Sequence, residues 1–228
     1  MLLVVDGIPD LKVGGIRYPD RLMTDLRPAE PRWVRDIFIA WIHELRSFFA
    51  TAAAFIRAPR RFGAEWSTGE LRAMNPVGFV LASATALLPL DYGVQRTLGW
   101  DTRPDVNMAI EIARAMRPFA FAILTGIACH VVLKLLRTRG SVAMTVAVFL
   151  YSATFAWALW CVGLLICLVT RADNWLPGVI GVLALPWMAL ALEGVHRIRW
   201  WWCLAVTIAT GWVAIQVVRG VLRVAGLT

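Results

Sequence analysis

The chain has 228 residues, of which 59% are hydrophobic, and its mean hydropathy is +0.66. A soluble domain of ordinary composition is less apolar, so the excess apolar surface is expected to face lipid. The net charge of +8 comes from basic residues at the ends of apolar runs, and no polar domain carries it. This pattern excludes a nucleic-acid-binding protein and favours anionic lipid headgroups as the partner.

The region before the first apolar run divides into two predicted parts. Residues 1–30 mix acidic and basic side chains around a Gly-Gly pair, which predicts an N-terminal tail or small hairpin. Residues 31–75 predict an amphipathic helix that begins at Pro31 and stops at Pro59, followed by a re-entry segment rich in turn residues. The helix is expected on the cytoplasmic side, either in the plane of the lipid headgroups or against the spans.

Two helix caps are predicted in the re-entry segment. The sequence STGE, from Ser67 to Glu70, fits a capping box, in which the hydroxyl and the carboxylate satisfy each other's backbone amides. Asn75 followed by Pro76 fits the start of the first span, because proline is well placed in the first helical turn.

Five apolar runs in the domain 76–228 are each long enough for a membrane-spanning helix, since a bilayer core needs roughly 20 apolar residues. The fourth is expected to kink at Pro186. The sequence VNMAIEIARAM, from Val106 to Met116, predicts a separate short amphipathic helix after the first span. The fold class is therefore an all-α integral membrane protein, a five-transmembrane-helix bundle preceded by an amphipathic helix. The predicted spans cover about residues 76–92, 118–136, 141–170, 174–193 and 200–219.

The basic residues predict the orientation. The short loop after the second span carries Lys134, Arg137 and Arg139 and no acidic residue, whereas the long loop after the first span is charge-balanced. Because basic loops are retained inside, the N-terminus is predicted to be cytoplasmic. The excess of 21 arginines over two lysines favours a bacterial inner membrane. Contacts with lipid headgroups are expected from Arg57, Arg60, Arg61, Arg197 and Arg199.

Four polar residues in or beside the spans are candidate functional positions, because a polar group in a membrane is a functional hypothesis by default. They are Asp91, His130, Glu193 and His196. Asp91 lies deep in the membrane if the first span continues past Pro89, and lies in water if Pro89 ends the helix. His130 is either hydrogen-bonded to a neighbouring helix or used as a ligand or proton relay.

Metal binding and catalysis are not predicted. Glu193 and His196 form a unit that di-iron bundle proteins use twice, together with two further glutamates. It occurs once here, so Glu193 is predicted to pair with Arg197, one helical turn later. His43 and Glu44 lack the second histidine of a zinc-protease motif. The sequence has no Gly-rich phosphate loop, nucleophile elbow or acid–base carboxylate pair, so no catalytic residue, cofactor or enzyme activity is expected.

Two stretches resemble a known membrane-protein family. The sequences FFATAAAFIRAPRRFGAEW and NPVGFVLASATALL are similar to the region leading into the first span of bacterial proteins of the Yip type (Ypt/Rab-interacting proteins). ALEGVHRIRWWWCLAV is similar to the short basic loop before their last span. The resemblance covers roughly residues 48–90 and 190–215, and it implies a five-helix bundle with a cytoplasmic amphipathic helix. The motifs of the eukaryotic members are absent, so GTPase binding is not expected.

The leading functional prediction is a non-enzymatic scaffold of the bacterial inner membrane, which organises the membrane or binds a second copy or another membrane protein. The alternative is a transporter or permease subunit, in which prolines and glycines between Pro177 and Pro186 break the fourth span at a binding site. A third, weaker prediction is a membrane-embedded lipid enzyme that uses Asp91 or His130. A polar cavity at mid-depth favours the second and third, and a packed bundle with an exposed apolar groove favours the first.

Overall fold

The structure is a computed structural model, and it describes residues 32–100 and 108–224. The chain divides into two units, Met1–His43 and Glu44–Thr228. In the first unit the described residues are helical. The tail or hairpin predicted for residues 1–30 lies outside the described residues.

Within these ranges eight helices follow one another: α1 Arg32–Arg57, α2 Pro59–Thr68, α3 Pro76–Thr97, α4 Met108–Leu135, α5 Val142–Thr170, α6 Leu176–Val182, α7 Ala184–His196 and α8 Trp200–Val224. Five segments are long and apolar enough to cross a membrane: Pro76–Thr97, Ala115–Leu135, Val142–Thr170, Leu176–His196 and Trp200–Gly220. The protein is therefore an all-α, multi-pass membrane protein, and the predicted fold class is confirmed.

Two helices extend beyond their predicted ends. α3 passes through Pro89 and continues to Thr97. α4 begins at Met108 and passes through Pro118 as one helix. Of the two alternatives for Pro89, the one in which it ends the helix is therefore wrong, and so is the prediction of a separate helix at 106–116. A proline removes one helical hydrogen bond, and neighbouring helices make that loss tolerable in a membrane bundle.

Two predicted helix features are confirmed. The Asn75 side chain accepts a hydrogen bond from the Val77 amide at 2.9 Å, with Pro76 in the first turn of α3. The fourth span is interrupted at Leu183, between α6 and α7. Pro186 follows three residues later and has no amide hydrogen to donate to the last turn of α6, so the predicted kink takes the form of a break.

The predicted capping box is wrong. Ser67 lies in the last turn of α2 and donates to the Ala64 carbonyl oxygen at 2.7 Å. Gly69 ends α2 in the left-handed conformation, with a φ of 78°. This conformation is easy for glycine and ends the helix before Glu70, which therefore cannot serve as the third residue of a new one.

α5 is the central helix of the bundle. It packs against α3, α4, α6 and α7, while α8 packs against α4 and α7. Its sequence is apolar on every side, as expected for a helix that is surrounded by other helices and lipid. Polar groups of the other spans therefore come together through contacts with side chains of α5.

Aromatic side chains pack the end of α1 and the start of α2 against the spans. Phe55 and Phe62 are buried, and their rings lie 6.2 and 5.1 Å from the ring of Tyr151 on α5. Phe79 on α3 lies 5.2 Å from the same ring. The Tyr151 hydroxyl donates to the Met74 carbonyl oxygen. The amphipathic helix is predicted either in the headgroup plane or against the spans. The C-terminal part of α1 lies against the spans.

α2 crosses α7 at a point where both helices carry a glycine. A Cβ atom on Gly63 would overlap the carbonyl oxygen of Ala191, and one on Gly194 would overlap the carbonyl oxygen of Arg60. Small residues at such a crossing let two helix backbones approach closely, which is how membrane helices gain packing contacts. The fourth span is therefore fastened to the segment that precedes the bundle.

We predict that Gly63→Ala destabilises the protein by about 1–3 kcal/mol, because its methyl group has no space against the α7 backbone. The measurement is thermal unfolding in detergent by circular dichroism. Gly93→Ala in α3 is the control, since an added Cβ there would meet no atom within 4 Å. It should be neutral or stabilise α3 by up to about 1 kcal/mol. Equal unfolding temperatures for the two variants would contradict the close crossing.

Candidate functional site

A cavity lies between the spans, within the unit Glu44–Thr228. Its volume is about 840 Å³, which falls in the range of roughly 300–1,000 Å³ that is usual for ligand pockets. α3, α4, α5 and α8 form its wall together with both halves of the interrupted fourth span. Most of the wall is apolar, and its polar groups are a carboxylate with its partners on α3 and hydroxyls on α4, α5 and α8.

The carboxylate belongs to Asp91, which is partly buried. Trp157 donates from its indole Nε1 to Asp91 Oδ2 at 2.9 Å, and Trp160 donates from Nε1 to Oδ1 at 3.2 Å. The side-chain amide of Gln95 also donates to Oδ1. All three partners are hydrogen-bond donors, which suits an ionised carboxylate, because that group only accepts.

The indole contacts place Asp91 near the middle of the longest helix. α5 has 29 residues, and Trp157 lies close to its centre, with about 20 Å of helix on either side. Of the two predicted locations of Asp91, the one inside a continuous first span is confirmed. A carboxylate at this depth is costly unless it is hydrogen-bonded or hydrated, so Asp91 is the strongest candidate for a functional residue.

Two buried hydroxyls on the cavity wall have no hydrogen-bond partner among the residues that the structure describes. Ser152 on α5 is 4% exposed and Thr125 on α4 is 3% exposed. Leaving a buried hydroxyl unsatisfied costs about 1–3 kcal/mol. By contrast, Thr154 on the same helix as Ser152 donates to the carbonyl oxygen of Leu150. Both Ser152 and Thr125 line the cavity, but their hydroxyl oxygens are themselves buried, so a molecule in the cavity would reach them only after the side chains rotate toward it.

The two membrane histidines meet elsewhere, through a shared threonine. His130 Nδ1 lies 3.0 Å from Thr145 Oγ1, and His196 Nε2 lies 2.8 Å from the same oxygen. His196 Nδ1 lies 2.9 Å from Thr138 Oγ1. All four side chains are buried. His130 is thus hydrogen-bonded to the neighbouring helix α5, the first of its two predicted roles.

The hydrogen atoms of this cluster can be assigned. Thr145 Oγ1 lies 3.0 Å from the Ser141 carbonyl oxygen, to which its hydroxyl donates. Both histidines then donate to Thr145, through Nδ1 of His130 and Nε2 of His196. The other ring nitrogen of His196 accepts from the Thr138 hydroxyl. With neutral histidines, both ring nitrogens of His196 and Nδ1 of His130 are hydrogen-bonded, so His196 keeps no nitrogen for a metal.

Glu193 pairs with Arg60, so the predicted pair with Arg197 is wrong. Arg60 Nη2 lies 3.3 Å from Glu193 Oε1. Arg197 ends α7 in the left-handed conformation, and its amide donates to the Glu193 carbonyl oxygen. The pair with Arg197 requires both residues to lie in one helix, but α7 ends at His196, one residue before Arg197. Because the Arg60 side chain is 71% exposed, water weakens its attraction to Glu193.

The five arginines predicted to contact lipid headgroups are all exposed: Arg57, Arg60, Arg61, Arg197 and Arg199. Arg60 has Glu193 as a partner, and Arg61 has Glu65. The hydrogen bond that Arg61 donates to Glu65, together with the negative charge of Glu65, raises the pKa of Arg61. Contact with headgroups stays a prediction for all five.

Within residues 32–100 and 108–224, no three His, Cys, Asp or Glu side chains lie close enough together to hold a metal ion. The four cysteines, Cys129, Cys161, Cys167 and Cys203, are buried and unbridged. The cavity therefore combines a carboxylate, hydroxyls and aromatic rings, a set that binds a molecule through charge and hydrogen bonds. The expectations that the protein has no metal and no enzyme activity stay predictions.

Four residues of the cavity wall are not among the predicted site residues: Trp157, Trp160, Ser152 and Thr125. Membrane tryptophans are expected near the ends of spans. Two tryptophans in the middle of α5 therefore indicate, from the sequence alone, that their indole N–H groups have a polar partner. The sequence does not mark the two hydroxyls, because Ser and Thr in membrane helices commonly bond to their own backbone.

Comparison with models of known protein families, with curated proteins and with solved structures found no match. The resemblance to Yip-like proteins stays a prediction, and the function has to be argued from the site.

We predict that Ser152→Ala leaves the thermal unfolding temperature unchanged or raises it, because the change removes an unsatisfied hydroxyl and no hydrogen bond. Thr145→Val on the same helix is the comparison, since it removes a buried hydroxyl that has three partners. It should destabilise the protein by about 1–3 kcal/mol. Differential scanning calorimetry in detergent measures both. A loss in Ser152→Ala as large as that in Thr145→Val would show that Ser152 has a protein partner.

Proposed function

We propose that this protein binds an amphipathic small molecule between its spans and acts as a transporter or permease subunit. One observation carries the proposal: a cavity of about 840 Å³ whose wall holds Asp91 and the unpartnered hydroxyls of Ser152 and Thr125. A cavity left only by imperfect packing is expected to be apolar. This wall instead carries the Asp91 carboxylate, a partly exposed polar group that a bound molecule would contact.

The interrupted fourth span supports a transporter. Gly181 and Val182 lie before the break, Ala184 and Leu185 lie after it, and all four line the cavity. The break is slight, because Leu183 keeps right-handed helical backbone angles. In transporter folds, discontinuous helices that border a cavity form the substrate site. The break in the fourth span lies at the cavity wall, as a substrate site of this kind requires.

The other two predicted functions have less support. A scaffold uses an exposed groove or face, and a carboxylate placed in the wall of a pocket between the spans adds nothing to that role. A lipid enzyme would need Asp91 or His130 to handle protons. The partners of Asp91 are two indoles and an amide, which do not exchange protons at neutral pH, and His130 Nδ1 is bonded to the Thr145 hydroxyl. The scaffold and its partner, a second copy or another membrane protein, stay predictions.

We further propose that the protein lies in a bacterial inner membrane with its N-terminus in the cytoplasm. The arginine-rich composition supports the membrane. The hydrogen bond between Thr138 and His196 supports the orientation, because it joins the loop after α4 to the turn after α7 at one end of the bundle. Both segments carry arginines, and the positive-inside rule assigns such an end to the cytoplasm.

We predict that Gly211→Leu removes the bound molecule. Gly211 lines the cavity from α8, and an added Cβ would meet no atom within 4 Å, so we expect a leucine side chain to extend into the ligand volume. Gly220→Leu is the matched control, on the same helix, equally unobstructed and outside the cavity wall. Native mass spectrometry of protein purified from cell membranes should find an amphipathic molecule on the wild type and on Gly220→Leu.

Gly211→Leu should carry at most about a tenth of that amount, which corresponds to a loss of about 1.4 kcal/mol in binding. Both variants replace a glycine inside a helix, so each should keep or gain thermal stability. An empty wild-type protein, or equal occupancy in all three proteins, would contradict the proposed function.

A further inference from the structure

The charges on the cavity wall indicate which class of molecule the cavity takes. Asp91 is an acidic group on this wall, and no Lys, Arg or His side chain in the described part of the chain lines it. We infer that the ligand is a cationic amphipath, with its positive group at Asp91 and its apolar body in the rest of the cavity. This inference rests on the proposed function and names its substrate class.

The partners of Asp91 orient the carboxylate without neutralising it. The two indoles and the Gln95 amide are uncharged donors. Neither of the two ion pairs found among the described residues includes Asp91. Arg96, the basic residue on the same helix, is exposed and donates to the Tyr92 hydroxyl at 2.8 Å. The negative charge is therefore left for a ligand.

The carboxylate also has room for another donor. Asp91 Oδ1 accepts from Trp160 and Gln95, whereas Oδ2 accepts from Trp157 alone. A carboxylate offers about four lone-pair positions in all, so Oδ2 keeps one that is unfilled. A ligand ammonium would occupy it with a charge-assisted hydrogen bond, and a quaternary cation would gain the charge attraction without the hydrogen bond.

Aromatic side chains also line the cavity: Phe121, Trp157, Trp160 and Trp212. The faces of aromatic rings carry negative electrostatic potential, so they attract a cation and repel an anion, and tryptophan does so most strongly. The rings therefore add to the selectivity that Asp91 provides.

The rest of the cavity sets the length of the ligand. Ser152 lies five residues before Trp157 and eight before Trp160 on α5, a distance of about 8–12 Å along the helix. The wall also includes apolar side chains such as Ala156 and Met188. A cation at Asp91 with an apolar body about 1 nm long would thus bring its far end to the level of Ser152.

The test uses two probe ions of the same shape and opposite charge, tetraphenylphosphonium and tetraphenylborate. The full chain is placed in nanodiscs of zwitterionic lipid, and binding is measured by equilibrium dialysis. Uptake by empty nanodiscs is subtracted, because both ions partition into lipid. The wild type should bind the phosphonium at least about tenfold more tightly than the borate.

Asp91→Asn is the variant for this test, because it keeps the shape and one acceptor oxygen but removes the charge. It should lower the phosphonium affinity about tenfold and leave the borate affinity unchanged or higher. Asp91→Glu keeps the charge and should keep the preference for the cation. The comparison of the two ions uses the wild type alone. The inference can therefore be tested even if the Asp91→Asn protein folds poorly.

The inference and the proposed function fail in different ways. Equal wild-type affinity for the two ions, or a preference for the borate, would overturn the cationic ligand. If Gly211→Leu then abolishes the binding of both ions, the cavity site stands. If the folded wild type binds neither ion, the cationic ligand is overturned. If native mass spectrometry also finds no bound molecule, the proposed function is overturned with it.

Discussion

The hydrogen bonds from Trp157 and Trp160 to Asp91 are the interaction on which the architecture of the cavity depends. A carboxylate at the level of the centre of α5 is costly in hydrocarbon, and these indole donors offset part of that cost. The same bonds join α3 to α5 two residues after Pro89. They therefore stabilise the part of α3 that continues beyond the proline. Because α5 also packs against α4, α6 and α7, the acid is fixed to the helix that organises the bundle.

Polar groups along α5 serve two different purposes. Thr145 satisfies both histidines in a packed cluster, where a Cβ on Gly140 would lie 2.6 Å from His196 Cε1. Two turns further along, Ser152 has no partner among the described residues and borders the cavity. Filled hydrogen-bonding positions hold helices together, whereas unfilled ones cost stability unless a ligand or water fills them. This contrast separates a structural polar cluster from a binding site.

The spans and the Asn75 cap could be predicted because each depends on neighbouring residues alone. Lipid imposes a length and an apolar composition on every span separately, so hydropathy is enough to find them. Contacts between distant segments could not be predicted in this way. Asp91 meets tryptophans 66 and 69 residues later, and Glu193 pairs with Arg60 on a much earlier helix. Periodicity indicates which face of a helix is apolar, but not which helix that face will meet.

Cysteine labelling at position 211 tests most directly whether an accessible cavity with a negative wall lies between the spans, because Gly211 lines the cavity and an added Cβ there would meet no atom within 4 Å. The four buried native cysteines are replaced by alanine, and Gly211→Cys is treated with two small methanethiosulfonates, one carrying trimethylammonium and the other sulfonate. We predict that the introduced thiol reacts with both reagents and faster with the cation, and that adding Asp91→Asn removes most of this preference. A folded protein whose thiol is unreactive, or reacts faster with the anion, would contradict the account.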